Sequence, residues 1–353
     1  MTSPLRVAIL GAGGVGLASA ALLASVGHQP LLWSRSGQGL ATIASEGIQA
    51  RGAIEGRFAS TVVTDLRLAI ESADVVLVTL PANGRRQVFH GLLPLLRAGQ
   101  TVIVSGDLSL GALYLHRKLE DHGVVVDVVA WATTVVMGRR IAPGQVAVGG
   151  VRAGIAGAVL PATASDRGMA LCAALFGPRF TPLSGPLPIL LGNLNPQVHM
   201  ANVLCNLTRI EKGESWANYD GISPAVARLI EDLDRERLAL GARCGLVLRS
   251  VEEHFRQSFG LPQGMTLAEM TAELHRRRGG PPGPTSLETR FITEDLPFGV
   301  APLIRVAHAW GVGLPLHEAG LRLLSSLCGQ DFAASNDLID DVALDDPLVS
   351  ARR

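Results

Sequence analysis

Cysteine is scarce in this chain. Only Cys172, Cys205, Cys244 and Cys328 occur, widely scattered, without a CxxC or a Cys/His cluster at ligand spacing. That excludes a structural zinc site and a disulfide framework, and the four thiols read as buried side chains in a reducing compartment. Net charge is also missing: 31 Lys and Arg balance 31 Asp and Glu, which removes the electrostatic case for nucleic acid or an anionic membrane surface as partner. No apolar run reaches the roughly 18 residues of a membrane-spanning helix. The N-terminus enters a strand with no charged n-region or cleavage site ahead of it. The expectation is a cytoplasmic protein with a small-molecule partner, no metal and no membrane. Apolar residues are plentiful, at 48% of 353. Single cores stop growing beyond roughly 250 to 300 residues, so two domains are expected, 1–186 and 187–353.

The segment Gly11-Ala12-Gly13-Gly14-Val15-Gly16 follows an apolar strand, Leu5 to Leu10, and opens a small-residue helix, Leu17 to Val26. In that context the pattern is a dinucleotide-binding fingerprint. Gly11 permits the tight turn, Gly13 lets the backbone approach a pyrophosphate, and Gly16 lets the helix pack closely on the strand. The diphosphate would rest on the helix N-terminus, contacted by Gly14 and Val15, where free N–H groups and the macrodipole favour negative charge. A second strand, Gln29 to Trp33, ends in Ser34-Arg35-Ser36, where NAD enzymes carry an acid for the ribose 2′-hydroxyl. Hydroxyls and a guanidinium suit a 2′-phosphate instead, so NADP(H) is preferred and NAD(H) remains open.

Ala73 to Leu80 and Thr101 to Ser105 are nearly continuous Val/Ile/Leu runs, as expected of parallel strands covered on both faces. The fold class is α/β: an N-terminal Rossmann domain with a doubly wound parallel sheet, then an all-helical domain. Ligands lie outside the carboxyl ends of such strands, which makes Pro81 and Asn83 cofactor candidates and places Gly106-Asp107 nearby. Val124 to Val129, Gln145 to Val148 and the stretches around Pro161 and Pro178 read as strands completing the sheet. Pro182, Pro186 and Pro188 mark a linker.

Beyond it the period is helical. Ser223-Pro224 starts one helix, which runs to about residue 243, and Thr266 with Glu269 forms a capping box for another. Arg276 to Pro284 reads as a solvated loop. On the helix near Asn195, the apolar positions Met200, Val203, Leu204 and Leu207 run beside a polar stripe of Asn195, His199, Asn202 and Asn206. Buried Asn without partners costs about 1–3 kcal/mol each, so the stripe points to a wet cleft. It makes His199 a candidate proton shuttle and Asn195 and Asn202 candidate substrate ligands; the alternative is a core histidine satisfied by a carbonyl. The segment Arg290-Phe291-Ile292-Thr293-Glu294-Asp295-Leu296-Pro297-Phe298-Gly299 reads as a pocket rim. Asp295 could orient His199 and stabilise its imidazolium form, or simply sit at a helix start.

With GAGGVG at the amino terminus, GNLNPQVHMANV at Gly192 to Val203, YDGISPAVARLIEDLDRERLALG at Tyr219 to Gly241 and RFITEDLPFG at Arg290 to Gly299, nearly the whole chain resembles the opine dehydrogenases, the octopine/nopaline dehydrogenase family. The resemblance implies a Rossmann domain, a helical domain, and reductive condensation of an amino acid with a 2-keto acid through an imine. It places His199 at the family's catalytic histidine and Asp295 at the aspartate paired with it. Substrate carboxylates need cations, for which Arg290, Arg305 and Arg139 are candidates, Arg290 first. Met200 and Phe298 stand where the family usually has proline and tyrosine, and Ala130 to Arg139 also departs from its pattern, so the choice of amino acid is not inherited. Two rivals stay open. One is a ketopantoate-reductase-like or other 2-keto or hydroxy-acid dehydrogenase, which needs a lysine donor where this second half has only Lys212. The other is an NADP-binding sensor without catalysis. Apolar helix faces point to a homodimer.

Overall fold

Alternating apolar runs and small-residue helices in the first half build two sheets. The computed structural model describes residues 3–278, 281–342 and 344, and the chain divides into two units, Met1–Ile189 and Leu190–Arg353. In the first, chain order is β1 (Arg6–Leu10), α1 (Gly14–Ser25), β2 (Gln29–Trp33), α2 (Leu40–Glu46), β3 (Ile48–Gly52), β4 (Gly56–Phe58), β5 (Thr61–Val63), α3 (Leu66–Glu71) and β6 (Val75–Val78). It continues with α4 (Arg85–Leu92), β7 (Thr101–Val104), α5 (Gly111–Asp121), β8 (Asp127–Trp131), β9 (Val136–Ala142), β10 (Gln145–Val151), β11 (Ile155–Leu160), α6 (Ser165–Phe176) and β12 (Phe180–Pro182).

The main sheet has eight strands in the order β12-β11-β8-β7-β6-β1-β2-β5. Its neighbours run parallel except β11 against β8. Burial explains the unbroken apolar runs: Val7 to Leu10 and Val76 to Val78 are wholly inaccessible, as in a parallel sheet covered on both faces.

The strand expected at Gln145 to Val148 does not complete this sheet. It pairs parallel with β3 and antiparallel with β9 in a separate four-stranded sheet, order β4-β3-β10-β9. The reason lies in α1, whose Leu17, Ala18, Ala20, Ala21 and Leu23 are all fully buried. A helix apolar on every side must be covered on every side, and the second sheet covers the face the first leaves open. The contact is backbone against backbone: a Cβ on Gly14 would come within 2.3 Å of the Gly138 carbonyl oxygen in β9.

α7 (Leu187–Gly192) crosses the division between units. The second unit contains α8 (Asn195–Glu211), α9 (Pro224–Arg243), α10 (Val251–Phe259), α11 (Leu267–Arg278), α12 (Arg290–Thr293), a π-helical turn at Leu296–Val300, α13 (Ala301–Ala309) and α14 (Pro315–Cys328). Caps read from sequence form: Ser223 Oγ accepts from the Val226 N–H, and Thr266 and Glu269 bond reciprocally. The loop expected from Arg276 begins later, because α11 continues through Arg278, where Arg276 and Arg277 pair with Glu273 one turn back. Gly279 and Gly280 lie outside the described residues. Cys205 is exposed rather than buried, since α9, α12 and α14 cover only part of α8. Among the described residues no helix is long and apolar enough to cross a membrane, and no group of three or more His, Cys, Asp or Glu could hold a metal ion.

Candidate active site

In the first unit the carboxyl ends of β1, β2 and β6 surround a cavity of about 380 Å³, lined by Gly11, Ala12, Gly13, Ser34, Arg35, Ser36, Thr79, Leu80, Pro81, Asn83, Gly84, Val88 and Arg140. It gathers most of the expected cofactor residues. The glycines divide the work. Gly11 has φ +123, a conformation that L side chains rarely adopt, and a Cβ on Gly16 would lie 1.8 Å from the Gly11 carbonyl oxygen, so helix and strand meet only through glycine. Among the described residues nothing lies within 4 Å of where a Cβ on Gly13 would stand, and no side chain caps the start of α1. That open, uncapped helix end fits a pyrophosphate. Gly14 and Gly16 serve packing rather than the cavity wall, and Val15, half-buried, is not part of that wall either.

Beside the cavity, Arg85 joins the loops after β6 and β7. Its Nε donates to the Leu80 carbonyl at 3.1 Å and its Nη2 to those of Ser105 at 3.3 Å and Gly106 at 2.8 Å. Asp107 lies 3.5 Å from Arg85 Nη1. Burial pushes its carboxyl up to about 6, against the opposing pull of Arg85 and of backbone N–H groups. The chain then passes through Ser109 and Leu110 at φ 57 and 55, left-handed conformations that non-glycine residues seldom hold without surrounding support.

In the second unit, α8 and the segment after α12 bring together two residues 96 positions apart. His199 Nδ1 meets Asp295 Oδ2 at 2.7 Å, with the side chains 12% and 3% exposed. A carboxylate only accepts, so Nδ1 carries the hydrogen and Nε2 is left as the atom available to a ligand. The His199 ring also stacks on Phe291, centroids 3.6 Å apart and planes 9° from parallel. Phe291 lies in α12 and Asp295 two residues past its end, beyond a break at Glu294 (φ -120, ψ -54). One holds the flat of the imidazole and the other its edge. The π turn follows directly at Leu296–Val300, a widened turn of the kind that recurs at functional sites.

The polar stripe on α8 is not what its spacing suggested. Asn195 is exposed and His199 half-buried, but Asn202 is 1% exposed. Its Nδ2 donates to the Asn218 carbonyl and Oδ1 at 3.1 and 2.7 Å, and its Oδ1 accepts from Asn206. Asn206 also bonds the Gly221 carbonyl at 3.1 Å. This corrects the expectation for Asn202: both its donors are spent inside the protein, tying α8 to the 218–221 loop, and none is left for a ligand. Arg290 is exposed beside Phe291, whereas Arg305 is engaged by Asp340 at 2.7 Å and Arg139 lies exposed on β9 of the first unit. Met200 fills the space over Gly320, its sulfur 2.9 Å from where a Cβ would stand. Sequence reading missed Phe291 and Arg140. The only signal for the first was its place in the RFITEDLPFG segment; nothing local marked the second.

The chain matches two family models: NAD/NADP octopine/nopaline dehydrogenase, alpha-helical domain, over residues 182–328, and ketopantoate reductase PanE/ApbA over residues 7–152. It is 30% identical over 347 residues to an opine dehydrogenase of Arthrobacter sp. (strain 1C), covering 96% of this chain and 94% of the relative. In fold it is similar to octopine dehydrogenase solved with NADH and L-arginine, with TM-score 0.82, 18% identity and 99% of each chain covered. It is also similar to NADP+-bound yersinopine dehydrogenase, with TM-score 0.75, 17% identity and 100% of each chain covered. With that likeness spanning both the glycine-rich turn and the His199–Asp295 pair, the chain belongs to the opine dehydrogenase family of NAD(P)-dependent oxidoreductases that act on CH–NH groups.

Proposed function

We infer that this protein reductively condenses the amino group of an amino acid with a 2-keto acid, reversibly and with preference for NADP(H), to give a secondary-amine dicarboxylate. The observation that carries this reading is the 2.7 Å bond between His199 and Asp295 on a ring clamped by Phe291. Amine and ketone lose water to form an imine. When bound beside Gly11 and Gly13, the nicotinamide cofactor would supply the hydride that reduces the imine carbon. Protonated His199 gives its Nε2 proton toward the imine nitrogen, making that carbon more electrophilic, and in the reverse direction neutral Nε2 takes a proton. Asp295 fixes the ring orientation and balances the charge of the imidazolium. Arg290 offers an exposed guanidinium to a substrate carboxylate. Ser34, Arg35 and Ser36 line the adenosine end of the cofactor cavity without an acid among them, which supports NADP(H).

A matrix of amino acids against 2-keto acids, followed by loss of NADPH absorbance, tests the reaction. Turnover that requires both components supports it. Oxidation by a keto acid alone would point to the ketopantoate-reductase-like reading, which the match over residues 7–152 favours. That chemistry needs a lysine donor, and Lys212 is the residue just past the end of α8, about three and a half turns beyond His199. Inertness to the whole matrix would favour a cofactor-binding sensor. Arg35→Ala is expected to weaken NADPH binding far more than NADH binding. Leu316, Leu323 and Leu327, 37%, 52% and 55% exposed on one face of α14, support a homodimer, which sedimentation measures.

A further inference from the structure

The geometry points to Arg140 as a second reader of the adenosine 2′-phosphate, acting with Arg35. This assignment rests on the NADP(H) preference inferred above and adds a residue from the second sheet to it. Along β9 exposure alternates, with Arg139 exposed and Arg140 half-buried, because successive strand residues point to opposite faces. Arg140 is the one turned to the cavity that Ser34, Arg35 and Ser36 also line. Its Nη2 reaches within 3.5 Å of the Gln38 carbonyl oxygen. It lies 2.7 Å from where a Cβ on Gly39 would stand, at φ +80. Gly39 therefore leaves room for the guanidinium that any other side chain would take.

Charge completes the argument. Among the described residues neither Arg35 nor Arg140 has a carboxylate partner: Arg35 Nη1 donates to the neutral amide of Gln87 at 2.6 Å, and no acidic residue lines the cavity. Two permanent cations at one cavity repel each other until an anion joins them. A 2′-phosphate has the charge and three acceptor oxygens to engage two guanidiniums and the serine hydroxyls together. A 2′-hydroxyl has neither, so the second sheet becomes part of cofactor choice.

The test is calorimetric binding of NADP+ and NAD+, which differ only in that phosphate, to the full chain and to Arg140→Ala, Arg140→Gln and Arg35→Ala. The glutamine variant keeps the stem of the side chain. The expected result is that both Arg140 variants raise the Kd for NADP+ about 10- to 100-fold and change that for NAD+ by less than about twofold. If the Arg140 variants keep the wild-type preference while Arg35→Ala loses it, the role of Arg140 is overturned and the NADP(H) reading stands. Equal weakening toward both cofactors overturns it too, since Arg140 then serves a part of the ligand common to both. If the unaltered protein does not prefer NADP+, both readings fall together.

Discussion

Two histidines of the second unit each meet a carboxylate through Nδ1: His199 reaches Asp295 at 2.7 Å and His317 reaches Glu236 at 2.8 Å. The bonds are alike and the surroundings are not. His199 keeps 12% of its side chain accessible and is stacked by Phe291. His317 is fully buried, and among the described residues its Nε2 has no hydrogen-bond partner. Glu236 accepts as well from the backbone N–H groups of Leu316 and His317, in the first turn of α14, where the residue ahead of the helix supplies no side-chain cap. The second pair is thus a clip on a helix end. A histidine–carboxylate bond alone does not make a proton relay; a reachable second nitrogen does.

His199→Ala should produce the largest effect, lowering kcat by about 10²–10⁴ while the Kd for NADP+ stays within about twofold, as steady-state kinetics and calorimetry will read. Unaltered turnover would remove His199 from the mechanism. Asp295→Asn comes next, with a loss in kcat of roughly tenfold to a thousandfold as the ring loses its fixed tautomer. Glu236→Gln inverts the pattern. It should cost about 1–3 kcal/mol of stability, visible as a lowered Tm, with the kcat of the folded protein unchanged; a kcat loss rivalling that of His199→Ala would break the comparison.

The smallest signal is a slope. Burial raises the Glu236 carboxyl, but the bonds from His317 and the two backbone N–H groups outweigh it and hold it below the usual range. Its stabilisation is present above that range and lost as pH falls through the lowered value. Asp107 is the reverse. With its carboxyl raised from 3.8 to about 6, the folded state binds the extra proton, so this contribution is full below about 3.8 and lost as pH rises through about 6. Tm measured across that window should fall less steeply with rising pH in Asp107→Asn than in the unaltered chain, and an identical slope would contradict the assignment.

The first unit was the more legible because its signals are local. The roles of Gly11, Gly13 and Gly16 are all decided within six residues and by the strand and helix beside them, and the cavity collects Ser34, Arg35, Pro81 and Asn83 as their strand ends predict. Arg140 escaped because it arrives on a strand of the second sheet, and a short alternating strand does not declare which sheet it joins. In the second unit spacing identified the α8 stripe but misjudged it. An asparagine facing water and one bonded to another asparagine have the same sequence pattern, and only the Asn202–Asn206–Asn218 contacts tell them apart. Nothing local joined His199 to Asp295 either; the resemblance did, and the fold supplies the distance.

The π-helical turn at Leu296–Val300 leads straight into α13, so it works as a gear offset between that helix and the segment bearing Phe291 and Asp295. Each residue of a helix accounts for about 100° of rotation. Trimming a single residue from the turn would swing the clamp about that far around the axis and strand the imidazole, with every contacting side chain still encoded. Segment length is therefore as much a part of this machinery as side-chain identity.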